Sequence, residues 1–189
     1  MNKYLFVPIM SLCFFCGSML SAYANDNPIM KRSVSLSYHL LQHQNDFGVG
    51  MSIASPFILD DVNLAFRLRT SLMWNEGTYN MSVDGGRTGW RAYGALQFGA
   101  SSYTIALAPG VRLYGEGGLV VLLPSGEFSS ESTVLGGYGI FGFEVFSSPG
   151  FAYFIEIGGM GTGATADKLP NQPIYSNGLT VSGGFRIHL

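Results

Sequence analysis

Large apolar side chains alternate with small or charged ones along most of the chain after residue 33. In the last segment, 178–189, Arg186 and His188 lie on one parity, and the opposite parity carries Leu179, Val181, Phe185, Ile187 and Leu189. A period of two residues is that of a β-strand, whose successive side chains point to opposite faces. The same pattern recurs in segment after segment, so it predicts an all-β protein whose strands each have one apolar and one polar face.

Side-chain size indicates which of the two faces is outside. A barrel of about eight strands has room inside only for packed side chains, and the bulky apolar parity would overfill it, whereas Gly, Ser, Ala and Thr with a few long charged groups would fit. A soluble barrel would need a charged exterior, typically roughly 25–35% of its surface residues. Charged residues are only 12% of this chain. The apolar face is therefore expected to contact lipid, as in a transmembrane β-barrel.

The number of strands depends on how residues 99–102 are interpreted. The apolar parity changes at Gly99-Ala100-Ser101-Ser102, which indicates either a turn or a β-bulge within one long strand. A bulge leaves two long arms around the Asp84-Gly85-Gly86 turn, and it gives the even strand number that is usual for bacterial outer-membrane barrels. We therefore predict an antiparallel up-and-down barrel of eight strands, with ten as the alternative. The predicted strands are 33–42, 47–55, 63–83, 87–107, 111–123, 133–147, 151–163 and 178–189.

The connections are predicted to alternate between the two sides of the membrane. The segments assigned to the outside are 42–46, the tip around Asp84, 123–132 and 164–177. The periplasmic turns contain Pro56, Pro109 and Pro149, where the missing amide proton does not weaken a strand ladder. Aromatic residues near the strand ends are expected to form girdles at the two membrane interfaces. These residues are Trp74, Trp90, Phe146 and Phe151.

Residues 1–24 have the composition of a cleaved secretory signal peptide. An apolar run follows Lys3, and a small-residue A-x-A site ends at Ala24. Both cysteines of the chain, Cys13 and Cys16, lie in this segment, so the predicted mature domain, 25–189, has no disulfide, reactive thiolate or cysteine metal site. No later segment is long and apolar enough for a membrane-spanning helix.

Eight charged residues in the alternating segments of the predicted strands lie on the lumen parity. The eight residues are Arg67, Arg69, Arg91, Arg112, Glu116, Glu144, Glu156 and Arg186. Arginine and carboxylate groups form strong bidentate pairs, so we expect ion pairs that cross the lumen and fill it. The alternative is a narrow anion-preferring channel, because five arginines against three glutamates leave a positive excess.

The remaining chemistry-bearing residues give no catalytic pattern. His39 and His188 project inward on the first and last strands but at different heights, so they are not expected to share a metal ion. A lipid-modifying enzyme would need a histidine near the outer rim, where His39 and His43 lie, together with a nucleophile and a carboxylate. No motif pairs these histidines with a nucleophile. We therefore predict a protein that is not an enzyme, with no metal and no cofactor, and a formal net charge of −2 does not suggest binding to nucleic acid.

The C-terminal residues resemble the assembly signal of small bacterial outer-membrane barrels of the OmpA and OmpX type. The matching residues are Ser182, Gly184, Ile187 and Leu189, with the departure that Leu189 stands where this family usually has phenylalanine. The resemblance implies a porin-like barrel in the outer membrane of a Gram-negative bacterium, exported through its signal peptide. It also implies contacts with outer-membrane lipid and recognition of the last strand by the barrel-assembly machinery.

Fold does not determine activity, so the function is the most open of these expectations. We expect a monomer with a structural, envelope-integrity or surface-interaction role, whose extracellular ligand the sequence does not identify. The alternatives are an enzyme that modifies lipid A or phospholipid from the outer rim, and a narrow solute channel.

Overall fold

A computed structural model of the protein describes residues 33–58, 63–79, 87–170 and 172–189. Eight β-strands account for most of them, and none of the described residues forms a helix long and apolar enough to cross a membrane. The strands are β1 Ser35–His43, β2 Asp46–Ala54, β3 Leu64–Tyr79, β4 Arg87–Ala108, β5 Val111–Leu123, β6 Val134–Ser148, β7 Phe151–Gly161 and β8 Gly178–His188.

Each strand pairs antiparallel with the next, and β8 pairs with β1 to close the sheet. The closing register places Ser35 opposite His188 and His43 opposite Thr180. A closed barrel has no sheet edge in its wall, so every strand finds hydrogen-bond partners on both sides there. The prediction of an all-β, eight-stranded, up-and-down antiparallel barrel is confirmed, and the ten-stranded alternative is not.

The apolar parity faces outward. In β2, exposed and buried residues alternate without exception, and the exposed residues are Phe47, Val49, Met51 and Ile53. The outward residues of the other strands are likewise large and apolar, among them Leu68, Phe98 and Phe141. The inward residues are small, charged or, in part of the lumen, apolar. The orientation predicted from side-chain size is therefore the one observed.

The bulge in β4 lies two residues further along than predicted. Residues 99–102 pair regularly with β3, and they also pair regularly with β5 as far as Ser102 opposite Gly115. The register shifts between Tyr103 and Ile105, and again before Ala108. Since Gly99 and Ser101 are small, the apolar pattern fades before the backbone changes phase, which is why the sequence placed the bulge too early.

The hairpin of β3 and β4 extends beyond the rest of the barrel. Strand β2 pairs with β3 only as far as Trp74, and β5 pairs with β4 only from Gly94 onward. Within the described residues, 75–79 pair only with 87–91, and 92–93 pair only with β3. The long arms predicted around the Asp84 turn are therefore present as far as the structure describes them. The tip itself, the predicted strand end at 80–83 and the predicted signal peptide, 1–24, lie outside the described residues.

Two smaller predictions were wrong. Strand β7 ends at Gly161 rather than at residue 163, because the chain leaves the barrel wall there to form the last outer loop. Phe146 does not belong to an interfacial girdle, since its side chain is 8% exposed and packs inside the barrel against Tyr114 and Ala152. Outward aromatic contacts occur near both ends of the barrel instead. At one end, the ring centroid of Phe47 lies 5.2 Å from those of Trp74 and Trp90. At the other end, the ring centroids of Phe151 and Tyr38 each lie 5.7 Å from that of Phe185.

Candidate functional site: the barrel lumen

The half of the lumen next to the β2–β3, β4–β5 and β6–β7 turns contains a network of buried ion pairs. We call it the lower half, and its end the periplasmic end after the sequence prediction for these turns. Arg67 and Arg69 come from β3, and their carboxylate partners come from β5 and β7 across the barrel. Arg67 Nη1 lies 2.6 Å from Glu116 Oε2, and Arg69 Nε lies 2.7 Å from Glu116 Oε1. Arg69 also makes a fork of two bonds to Glu156, of 2.8 Å from Nη1 and 2.6 Å from Nη2. These pairs connect strands that are not neighbours in the sheet.

Arg186 of β8 links Glu144 to the rest of the network. Its Nη1 lies 2.9 Å from Glu144 Oε1, and its Nε donates to the Ser37 hydroxyl at 3.1 Å. The guanidinium lies over two aromatic rings, 5.1 Å from the Tyr114 centroid and 4.8 Å from that of Phe154. Arg186 is 0% exposed, so these contacts replace its entire hydration shell.

Hydroxyl groups complete the coordination of the two central carboxylates. Tyr114 donates to Glu156 at 2.5 Å, and Ser182 donates to the other oxygen of Glu156 at 2.6 Å. Tyr138 donates to Glu116 at 2.8 Å. A buried carboxylate is tolerated only where charge and hydrogen bonds both compensate it, and this arrangement provides both.

Six of the eight predicted lumen charges belong to this network, and the other two do not. Arg91 lies near the outer rim and pairs with Glu127 of the β5–β6 loop. Arg112 lies near the periplasmic end, with its guanidinium 5.4 Å from the Phe146 ring centroid. The network itself consists of Arg67, Arg69, Arg186, Glu116, Glu144 and Glu156. Three arginines therefore face three glutamates, so the positive excess on which the anion-channel alternative depended does not occur in the occluded section.

The outer half of the lumen is apolar, which the sequence analysis missed. Its buried cluster consists of Met73, Tyr93, Ala95, Val120, Leu122, Phe128, Tyr138, Ile140, Met160, Ala164, Ala166, Leu169 and Tyr175. The signal was visible at 119–123, where five apolar residues follow one another without alternation. A strand that is apolar on both faces must be buried on both, so it predicts an apolar section of the lumen.

Two outer loops supply the centre of this cluster. Phe128 comes from the loop between β5 and β6, and Leu169 and Tyr175 come from the loop between β7 and β8. The rings of Tyr93, Phe128 and Tyr175 meet edge to face, with centroids 5.0–6.2 Å apart. Burial raises the pKa of Tyr175 to about 12. The loops therefore fold into the barrel mouth and seal it.

Exposed contacts hold the two loops together. The Ser130 backbone donates to Asp167 Oδ1 at 2.7 Å, and the Ser130 hydroxyl donates to Oδ2 of the same carboxylate. These hydrogen bonds lower the pKa of Asp167. The neighbouring Lys168 donates from Nζ to the Gly126 carbonyl at 2.6 Å and from its backbone to the Phe128 carbonyl at 3.1 Å.

A small polar group lies at the wall of the apolar half. Asp46, 3% exposed, accepts hydrogen bonds from Asn75 Nδ2 and from the Tyr93 hydroxyl, each at 2.6 Å. His43, which pairs with Asp46 across the first hairpin, is 1% exposed, and its ring interacts with the Asn177 backbone.

The other two histidines lie apart from His43 and from each other. His39 Nε2 is 3.4 Å from the Ser71 hydroxyl, and His188 Nε2 is 3.4 Å from Glu144 near the periplasmic end. In the part of the chain that the structure describes, no group of histidine, cysteine and carboxylate residues has the geometry of a metal site.

The four residues of the C-terminal pattern are divided between the two faces of the last strand, two on each face. Ser182 and Gly184 face the lumen, whereas Ile187 and Leu189 face outward with 38% and 68% exposure. At Gly184 an added Cβ would collide with the carbonyl oxygen of Tyr38 on β1. Glycine is therefore needed there so that the first and last strands can approach each other.

Solved structures with this architecture are outer-membrane proteins. The N-terminal β-barrel domain of Pseudomonas aeruginosa OprF superposes with a TM-score of 0.55 at 12% identity, covering 84% of this chain and 98% of that one. The outer membrane protein OprG from Pseudomonas aeruginosa gives 0.55 at 10% identity, covering 84% and 97%. No protein-family model matches the chain, and no curated protein matches it. At these identities the likeness shows a shared eight-stranded barrel fold.

Proposed function

We propose that the chain is an integral outer-membrane protein whose barrel is a sealed anchor, and whose projecting hairpin and outer loops act in surface interaction or envelope integrity. The proposed role is not enzymatic. The belt of exposed apolar side chains supports insertion in lipid. A charged side chain placed on that belt at mid-bilayer would cost about 2–4 kcal/mol, and the six charged residues of the ion-pair network lie inside.

The filled lumen is the observation that carries the sealed-anchor part of the proposal. Ion pairs cross the lower half from β3 to β5 and β7, and loop side chains fill the upper half. Near the periplasmic end, Phe57 packs against the cluster of Tyr114, Phe146 and Ala152. A conducting pore needs a continuous polar path, and this filling leaves none among the described residues.

Conductance in a planar bilayer tests the seal. The mature protein is expected to give no discrete current steps at either polarity, whether or not the bathing salt is changed. Reproducible steps from the folded protein would contradict the sealed-anchor role. Heat-modifiable gel mobility of the same sample establishes that the inserted protein is folded.

The projecting hairpin supports the surface-interaction part. Residues 75–79 and 87–93 stand above the strands on either side, so their outer edges are strand edges of the kind that partners can extend. Gly77 and Gly89 are paired directly across the hairpin. A two-residue Asn-Gly turn between them would shorten the hairpin and leave the barrel wall unchanged.

The shortened variant separates the two roles. Surface adhesion should fall to the level of a deletion strain, while resistance to detergents that test envelope integrity should match the parent. If adhesion were unchanged, the hairpin would not be the interacting element.

We assign the C-terminal residues Ser182, Gly184, Ile187 and Leu189 to recognition by the barrel-assembly machinery. The outward exposure of Ile187 and Leu189 supports this assignment, since neither side chain is needed to fill the lumen. Replacing Ile187 by Ser should slow assembly in cells, whereas the same change at outward-facing Val49, far from the C-terminus, should not.

A further inference from the structure

The projecting hairpin has no neighbouring strand that fixes its direction. In the part of the chain that the structure describes, residues 75–79 of β3 pair only with 87–91 of β4. A two-stranded hairpin on its own is marginally stable in water, and it can bend and twist as a ribbon. The direction of this hairpin relative to the barrel therefore depends on the side-chain contacts at its base.

Both arms of the hairpin are tied to one carboxylate. Asp46, at the start of β2, accepts a hydrogen bond from Asn75 of the β3 arm and another from the Tyr93 hydroxyl of the β4 arm, each at 2.6 Å. Hydrogen bonds to a charged group are stronger than those between neutral groups. Asp46 is also buried, so water does not compete for these bonds. The base of the hairpin is therefore held from the side of β2.

The β4 arm is tied to both outer loops as well. The Tyr93 ring meets two loop rings edge to face, with its centroid 6.2 Å from that of Phe128 and 5.2 Å from that of Tyr175. Two residues further out on the same arm, Arg91 pairs with Glu127 of the β5–β6 loop. The hairpin and the loops thus share contacts that neither could make alone.

We propose that the two outer loops brace the projecting hairpin, so that loop packing in the barrel mouth and the direction of the hairpin form one coupled state. Tyr93 is the positioning residue, because its ring contacts both loops and its hydroxyl bonds to Asp46. Coupling between two sites is reciprocal. A partner that binds the braced hairpin therefore also holds the loops in the mouth, and loosening the loops frees the hairpin. This inference rests on the proposed surface-interaction role and adds that the loops control how the hairpin is presented.

The distance between two spin labels can measure the direction of the hairpin. The labels are attached at Glu76→Cys on the β3 arm and at Ile157→Cys on β7, two exposed positions on different sides of the barrel. The folded mature protein in phosphatidylcholine nanodiscs should give a narrow distance distribution. Phe128→Ala removes one of the two loop rings against Tyr93 and should broaden this distribution. Phe146→Ala is the control, because it removes a buried ring from the lower half of the lumen and should leave the width unchanged. Equal widths in Phe128→Ala and the parent would overturn the proposal.

The ion pair between the loop and the hairpin gives a second, matched test. Glu127→Ala removes the partner of Arg91, and amide hydrogen exchange in residues 89–92 should become about 1.5- to 5-fold faster, the factor expected for one surface ion pair. Glu131→Ala removes the same charge from an exposed position of the same loop and should leave this exchange unchanged. Equal exchange in the two variants would contradict bracing by this loop. Heat-modifiable mobility reports the folding of each variant, and this pair decides if Phe128→Ala does not fold.

Reciprocity gives the third test. Asn75→Ala removes a bond between the β3 arm and Asp46 without changing a loop residue, so a coupled state requires faster exchange in loop residues 126–130. Thr70→Ala, at an exposed position lower on the same strand, is the control and should not change loop exchange. Unchanged loop exchange in Asn75→Ala would show that the hairpin and the loops are independent.

None of these measurements uses adhesion. If the hairpin is not braced, the shortened variant still loses adhesion. If the shortened variant keeps its adhesion, the surface role fails while the label distances and the exchange rates still report the brace. Failure of this inference is therefore distinguishable from failure of the proposed function.

Discussion

The lower and upper halves of the same lumen are filled by opposite chemistry. Below, three arginines and three glutamates are held by strand positions, and each guanidinium reaches a carboxylate on a strand that is not its neighbour. Above, the wall is apolar and the filling comes from loops. The difference shows two ways of occupying a narrow barrel: a network fixed by strand register, and loop side chains that enter from the barrel mouth.

Tyr138 marks the boundary between the halves. Its ring belongs to the apolar cluster, and its hydroxyl bonds to Glu116 in the network. A residue with an apolar body and a polar tip is suited to such a boundary. The two halves share this residue, but we expect loss of a charge to affect the lower half and loss of a loop side chain to affect the upper half.

Removing Glu156 should have the largest effect. Its carboxylate receives bonds from Arg69, Tyr114 and Ser182, so Glu156→Ala leaves the three buried arginines of the network with only two carboxylates in it. We expect the free energy of unfolding to fall by about 3–5 kcal/mol, the usual cost of breaking a buried ion pair. Urea titration in lipid vesicles measures it. Glu131→Ala, at an exposed loop position, is the control and should change stability by less than about 0.5 kcal/mol.

Removing the Phe128 ring should lower the free energy of unfolding somewhat less than removing Glu156. Phe128→Ala deletes a fully buried ring at the centre of the upper cluster, and such deletions cost about 3 kcal/mol or more in cores that do not relax. The loop can collapse partly into the space, so the loss of stability should be close to this lower value. The loss of packing should be confined to the upper half of the lumen. Hydrogen exchange should rise in residues 124–133 and 162–177 and remain unchanged near Arg186. Equal loss of protection in both halves would contradict their independence.

Removing the Tyr93 hydroxyl should lower the free energy of unfolding by a moderate amount. Tyr93→Phe leaves one oxygen of the buried Asp46 without its donor, and an unsatisfied buried acceptor costs about 1–3 kcal/mol. The same urea titration measures this change. In this variant, Asn75 still donates to the other oxygen of Asp46, so stability should depend more strongly on Asn75 than it does in the parent. The double change Tyr93→Phe with Asn75→Ala should therefore lose more stability than the sum of the two single changes.

Acid should have the smallest effect on stability, at the contact between the two outer loops. The pKa of Asp167 is lowered by Ser130, so the contribution of this contact is fully present above the ordinary aspartate pKa of about 3.9 and is lost as pH falls through the lower folded value. The amide resonance of Ser130, which donates to Asp167, should report the transition in an acid titration. Its titration should vanish in Asp167→Asn, and a transition that persists there would have another origin.

The predictability of the two halves also differs. The charged network was visible in the sequence because its members, such as Arg69 and Glu156, lie opposite the large apolar parity in alternating strands. Which arginine meets which glutamate was not visible, because the pairing depends on strand stagger around the closed barrel. Arg91 and Arg112 had the same sequence signal as Arg69, yet they lie at the two ends of the lumen.

The apolar half was harder to predict, because its central residues are in loops. Periodicity says nothing about where Phe128 or Tyr175 points, since a loop has no fixed repeat. Only the run at 119–123 indicated that a strand is apolar on both faces.

By itself, the sequence determined the strands, their number and the face that meets lipid, because a two-residue period and side-chain size act locally along each strand. The tertiary structure decided what fills the barrel. Barrel closure places β3 opposite β7 and folds two loops into the mouth, and both results depend on distances between residues that are far apart in the chain.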